Sequence, residues 1–171
     1  MGKCLIVGLG NQGEKYQRSR HNVGHWLIDY LRQVFDFSRS NTYLFKTSVF
    51  MNSSGSEVKA LVDKCRVPLN NLIVVHDDMD IEIGEFRLQF GRGAAGHKGV
   101  ESVIKALGGK GFWRLRIGIG RPPKGVEAED YVLRNFCKEE IGVLKGLLPK
   151  IRRRLVKWRF EIQNAESKIA A

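Results

Sequence analysis

Short apolar runs alternate along this chain with segments whose apolar residues recur every three or four positions, a pattern that predicts strands interleaved with helices. The runs Cys4 to Val7, Thr47 to Phe50, Leu72 to Val75, Phe86 to Phe90 and Leu115 to Ile119 read as strands. Helical spacing marks His21 to Val34, Glu57 to Cys65, Val100 to Leu107 and a long segment from Lys138 to about Gln163. The expected fold class is α/β: a single-domain three-layer sandwich with a central mixed, mostly parallel sheet flanked by helices. Residues 1–137 make the α/β domain in this reading, and residues 138–171 a basic amphipathic C-terminal helix packed on the same domain. In that helix Leu144, Leu147, Leu148, Ile151, Leu155, Trp158 and Ile162 form the apolar stripe, and Pro149 predicts a kink.

The segment Gly8-Leu9-Gly10-Asn11-Gln12-Gly13 spells the glycine turn of a dinucleotide site, directly after a strand. Its neighbours contradict that function. Residues Glu14 to Arg20 are polar and mostly basic where an apolar helix should begin, and no second short strand ends in an acid suited to a ribose hydroxyl. The glycines are read as a change of chain direction.

Composition adds a polyanionic partner to the picture. The 171 residues fit one domain, and 29 Lys+Arg against 18 Asp+Glu give a formal net charge of +11. Cys4, Cys65 and Cys137 lack C-x-x-C spacing and read as reduced thiols. The apolar runs are too short to span a membrane, and the first strand begins almost at Met1, leaving no room for a presequence. The expected location is cytoplasmic, with a mitochondrial or other organellar home also open.

Polar residues gather where the strands end, which is where open α/β sheets hold ligands. Asn11 follows the first strand, Met51-Asn52 follows Phe50, His76-Asp77-Asp78 follows Val75, and His97-Lys98 closes a glycine-rich loop at the start of a helix. Four connections thus converge on one expected pocket.

Taken in order, Ile6-Val7-Gly8-Leu9-Gly10-Asn11, Tyr16, Arg20-His21-Asn22-Val23-Gly24, Phe50-Met51-Asn52-Ser53-Ser54-Gly55, Val75-His76-Asp77-Asp78-Met79-Asp80, Gly96-His97-Lys98-Gly99 and Arg114 to Gly120 resemble the motifs of bacterial-type peptidyl-tRNA hydrolases. The resemblance runs from Lys3 to about Phe136. It implies hydrolysis of the ester between a peptide and the terminal ribose of a tRNA, without metal or organic cofactor. By the same resemblance His21 is the catalytic base and Asp77 orients it, while Asn11 and Asn52 hold the substrate near the scissile bond. Tyr16, Phe50 and Lys98 are expected against the tRNA end or the peptide.

The side chains suit that chemistry. A neutral imidazole can deprotonate water for attack on an ester, a carboxylate can fix its tautomer, and amide donors can meet the developing oxyanion. Met51 is expected to shape the pocket by packing, and Asp78 and Asp80 to act as turn residues. His21 and His25 stand four apart like metal ligands, but with no glutamate after His21 and no third ligand in view, no metal is expected. Lys15, Arg18, Arg20, Arg87, Arg92, Lys98, Lys105, Lys110, Arg114, Arg116 and Arg121 are expected to form a phosphate track, with Arg87 and Arg116 among the substrate contacts. A monomer is expected, and the basic face of the C-terminal helix offers a contact to a ribosome or other ribonucleoprotein.

Three residues depart from the family pattern: Lys98 stands for the usual asparagine, Gln12 for proline and Gln89 for a basic residue. The chain is also short between the first helix and Phe50, so an edge strand or hairpin is expected to be missing. These departures motivate an alternative reading, a catalytically weakened hydrolase-like RNA-binding protein associated with a ribonucleoprotein. Joint retention of Asn11, His21, Asn52 and Asp77 favours the enzyme.

Overall fold

Cys4 to Val7 and Leu72 to Val75 carry no charged side chain, as suits strands covered on both faces, and they form the centre of the sheet. The computed structural model describes residues 2–34 and 41–169. Its sheet comprises β1 (Cys4–Gly8), β2 (Thr42–Lys46), β3 (Leu72–Asp78), β4 (Phe86–Phe90) and β5 (Trp113–Gly118), in the spatial order β2-β1-β3-β5-β4. β2, β1, β3 and β5 are mutually parallel, and β4 alone runs antiparallel, against β5. The sheet is therefore mixed and mostly parallel, as the alternation of elements implied.

Helices cover both faces. On one, α1 (Val23–Val34) and α5 (Lys138–Ile169) bury Leu27, Ile28, Leu144, Ile151 and Trp158 against Ile6, Ile73, Val75 and Leu115. On the other, α2 (Ser54–Cys65) and α3 (Lys98–Leu107) bury Val58, Val62, Val100 and Val103 against Leu5, Val7, Leu72 and Val74. A short α4 (Ala128–Leu133) follows β5, a helix that the periodicity did not suggest. α5 continues through Pro149, whose missing N–H falls on an exposed face.

One strand expectation is corrected. Residues Thr47 to Phe50 form a loop, and the strand lies just before them at Thr42–Lys46. The reason is the Thr47 side chain, which is buried and accepts the Gly10 N–H at 3.2 Å, while Ser48 turns to the Glu57 carboxylate at 2.7 Å. Those bonds pin the segment to the glycine turn instead of to a neighbouring strand. β2 pairs along β1, and residues 35–40, in the stretch expected to be short, lie outside the described residues.

Two local devices set the site over the ends of β1 and β3. Gly24, in the first turn of α1, lies so close to the Leu9 and Val75 carbonyls that a Cβ would meet them at 2.6 and 2.7 Å. The Arg20 side chain then anchors the turn before α1. Its guanidinium grips the Glu140 carboxylate at 2.7 and 2.8 Å, donates to the Asn135 carbonyl at 2.8 Å, and lies over the rings of Tyr131 and Phe136. Arg20 is thus a structural ion, not part of a phosphate track.

Because Trp158 is 1 % exposed and sits in the same apolar cluster as β3 and β5, α5 is expected to unfold together with the sheet. Trp158→Ala should cost about 3–5 kcal/mol, read from denaturant midpoints, with one transition by both near- and far-ultraviolet circular dichroism. A separate early transition for the helix would contradict this.

Candidate active site

β3 ends in His76, Asp77 and Asp78, all buried, and the middle residue organises the site. Asp77 Oδ1 lies 2.8 Å from His21 Nδ1 and 2.9 Å from His97 Nε2, so one carboxylate oxygen accepts from two imidazoles. Protonation follows from the partners. His97 caps α3, and its Nδ1 accepts the Val100 N–H at 3.3 Å, which leaves the proton on Nε2 to be donated to Asp77. His21 donates through Nδ1, so its Nε2 is a free lone pair.

Burial works to raise the Asp77 carboxyl, yet the two histidines beside it, by charge and by hydrogen bond, hold it well below the usual carboxylate range. It is an anion at any pH the protein meets. His76 packs edge-on to His97 with ring centroids 4.7 Å apart and hydrogen-bonds through Nδ1 to the Asp77 carbonyl at 2.7 Å. Complete burial, then the neighbouring His97 and Arg114, push its pKa well down and keep it neutral.

Asn11 is held as firmly as His21. Its backbone N–H and carbonyl both bond the Asn22 side chain at 2.9 Å, and its Oδ1 accepts the Met51 N–H at 2.8 Å. With the oxygen engaged, the amide Nδ2 is left to donate into the cleft. Met51 is 5 % exposed and packs in the core beneath, as expected of a residue that shapes the pocket.

Two chambers meet at His21. One, of about 200 Å³, is walled by Asp77, Met79, the 94–97 loop, Ala128 and Val132. The other, of about 390 Å³, is walled by Asn11, Phe50, Met51, Asn52, Val132 and Leu133. The cleft therefore assembles His21, Asp77, Asn11, Phe50, Met51, Asn52 and Lys98 from among the expected residues. Tyr16 lines neither chamber; it is half-buried under the Lys15 ammonium, 4.8 Å from the ring centroid.

The basic track is corrected in part. Arg114 is buried at 2 % exposure, like Arg20, and is withdrawn from it. Arg116 is held by Asp78 at 2.7 Å and by Gln89 at 2.8 Å, directly across the strands from the exposed Arg87. Arg121 pairs with Asp80 at 2.6 Å. Asp78 also accepts the Asp80 N–H at 3.0 Å, the turn role expected of it.

The sequence places His97 at the end of a glycine loop beside the expected pocket but assigns it no role. The signal that could have found it is chemical: a buried carboxylate has lone pairs beyond the one that orients His21, and a histidine opening a helix can supply the second donor. His21, Asp77 and His97 place three ligand-type atoms within 4.8 Å of one another. A metal there would need a lone pair on His97 Nε2, the nitrogen that carries the proton, so the cluster fits a hydrogen-bonded relay and not a metal site. His25 lines a different, polar hollow with Asp29 and Lys46.

A histidine oriented by a buried carboxylate, with a fixed amide donor beside it at the carboxyl ends of parallel strands, is the arrangement expected of a hydrolase of the α/β class that works by activating water. The family of peptidyl-tRNA hydrolases has a sequence model that matches residues 5–171. The peptidyl-tRNA hydrolase of Desulfitobacterium hafniense is 40% identical over 161 residues, covering 85% of this chain and 87% of that protein. That of Geobacter metallireducens is 42% identical over 164 residues, covering 86% and 84%. The crystal structure of peptidyl-tRNA hydrolase from Acinetobacter baumannii superposes with a TM-score of 0.74 at 29% identity, covering 86% of this chain and 83% of that one. This chain belongs to the peptidyl-tRNA hydrolase family.

Burial, reinforced by Lys46, lowers the His25 pKa from 6.5 to about 4. The unfolded chain takes up this proton as pH falls through 6.5 and the native one only near 4, so stability falls across that window, by up to about 3 kcal/mol from this group. His25→Phe should flatten the decline in denaturant midpoint between pH 7 and 4.5. An identical decline in both proteins would show that His25 is not responsible.

Proposed function

We propose that this protein hydrolyses the ester joining a peptide to the 3′ end of a tRNA, releasing free tRNA for reuse, with His21 as general base. The observation that carries the reading is the 2.8 Å bond from His21 Nδ1 to buried Asp77, which aims the opposite ring nitrogen into the cleft beside Asn11. Water between that nitrogen and the ester carbonyl loses a proton to Nε2 as its oxygen attacks. The charge arriving on the carbonyl oxygen is met by the Asn11 Nδ2–H₂. Asp77 stabilises the imidazolium, which returns the proton to the departing ribose oxygen as the tetrahedral intermediate collapses. Ester and water become acid and alcohol, and the enzyme is restored.

The nearby surface supports an RNA substrate. Lys15 and Arg18 are exposed, as are Arg87 and Arg92 along β4 and the loop after it, and Phe50, which lines the larger chamber, offers an apolar face at 49 % exposure. Arg116, fixed by Asp78 and Gln89, is read as the inner end of that track. Tyr16 and Asn52 are read as contacts to the tRNA end and to the ester. Arg152, Arg153 and Lys157 give α5 a basic outer face, which we read as a further RNA contact of a monomeric protein working where translation occurs. No helix among the described residues is long and apolar enough to cross a membrane. The weakened, RNA-binding alternative is not favoured, because His21, Asp77 and Asn11 stand together at the cleft, an arrangement that RNA binding alone does not require.

Discharge of an N-blocked aminoacyl-tRNA tests the reading. His21→Ala should lower kcat by about 10²-fold or more with KM little changed, the share that general-base catalysis supplies. Equal rates in the two proteins would remove the hydrolase reading. Asp77→Asn should also lose most turnover while keeping its affinity for tRNA; a fall in affinity with an unchanged rate would reassign Asp77 to binding.

A further inference from the structure

An ester has two substituents, and a carbonyl placed at His21 Nε2 needs room for both. The two chambers supply it, but the line between them is crossed. Lys98 Nζ lies 2.6 Å from Glu129 Oε1, joining the first turn of α3 to the first turn of α4. Both residues line both chambers, with His21 and Val132. The two side chains form a bar where the chambers meet beside His21.

This bar is made to part. Its side chains are 60 % and 77 % exposed, so the pair is weak and screened by salt. α4 is held independently of it, through the Tyr131 hydroxyl on the Ile119 carbonyl at 2.7 Å. The Glu129 carboxyl is kept below its usual range by the hydrogen bond and charge of Lys98, as suits an ammonium that already holds an anion. Lys98 also stands at the positive end of α3, where a cation is disfavoured unless an anion accompanies it.

We propose that Glu129 is a resident stand-in for a phosphate: on binding, a phosphodiester of the RNA 3′ end replaces it on Lys98, the bar opens, and the two chambers become one channel across His21. Lys98 is then the residue that makes occupancy of the channel conditional on an RNA end. The inference rests on the hydrolase reading for the identity of the substrate, but its test does not need turnover.

The probes are the trinucleotide CpCpA, which carries two phosphodiesters, and adenosine, which carries none, titrated calorimetrically into wild type, Glu129→Gln, Lys98→Met and the double variant. Glu129→Gln should bind CpCpA about two- to fivefold more tightly than wild type, the range an exposed ion pair is worth, and adenosine no differently. In the Lys98→Met background the same substitution should have no effect, and the salt dependence of CpCpA binding should be shallower. Unchanged CpCpA affinity in Glu129→Gln would overturn the proposal. So would a gain that persists without Lys98, which would be general relief of repulsion, or an equal gain for adenosine. Loss of the hydrolase reading would appear elsewhere, as a wild type that fails to discharge N-blocked aminoacyl-tRNA while the titrations hold.

Discussion

One carboxylate oxygen, Asp77 Oδ1, carries the site. It is 2 % exposed, and an ion so buried is sustained only by donors that replace its lost water. Two imidazoles do so from different parts of the chain, His21 from the turn ahead of α1 and His97 from the N-cap of α3. The same bonds that stabilise the anion fix both tautomers. If Asp77 were neutral it would have no reason to take two N–H donors on one oxygen, and His21 would be free to present the wrong nitrogen to the cleft. Electrostatics, ring orientation and the tie between two distant loops are therefore one interaction seen three ways.

The fold is arranged so that this tie is not asked to hold the turn by itself. The Arg20 guanidinium directs its donors to Glu140 and to two carbonyls ahead of α5, while Asn22 clamps the backbone of Asn11 from the other side. His21 sits between these two anchors. Its position relative to Asn11 is set by backbone and neighbours, so the His21 ring and the Asn11 amide are held in place without help from a substrate. Such preorganisation is what gives polar groups their effect on a transition state.

The central strands were legible because burial on both faces leaves only apolar residues to choose from. Thr47 to Phe50 deceived for a related reason: threonine, valine and phenylalanine favour strands, but here Thr47 serves the glycine turn and Ser48 serves Glu57. α4 escaped notice because six residues with Glu129 and Asp130 at their start offer no apolar period to read. Asp77 and Asn11 could be picked out by their places at strand ends and His21 by family motif, whereas His97 could be placed near the pocket but not given a role, since that role exists only through a carboxylate far away in sequence. Charge alone misled for Arg20 and Arg114. A sequence reports a guanidinium, and only packing decides whether it faces a phosphate or a buried carbonyl.

The site also dictates which hydrolytic route is open. Neither chamber beside His21 is lined by serine, threonine or cysteine among the described residues. Nearby hydroxyls are committed elsewhere, Ser19 to Asn22 and Ser48 to Glu57. Cys4 and Cys65 are buried in the core, and the exposed Cys137 has its thiol pushed up, with the carboxylates of Glu139 and Glu140 outweighing a favourable backbone hydrogen bond at Glu140. With no such group lining either chamber, the proposed route uses water as the nucleophile. For an ester that suffices: the bond is already activated, and a base placed beside a fixed donor can supply several kcal/mol of the barrier without a covalent step. For an amide, with its poorer leaving group, the same machinery would be too weak. Under the proposed mechanism, means this modest would favour cleavage of the link to the ribose over the peptide bonds a few atoms away.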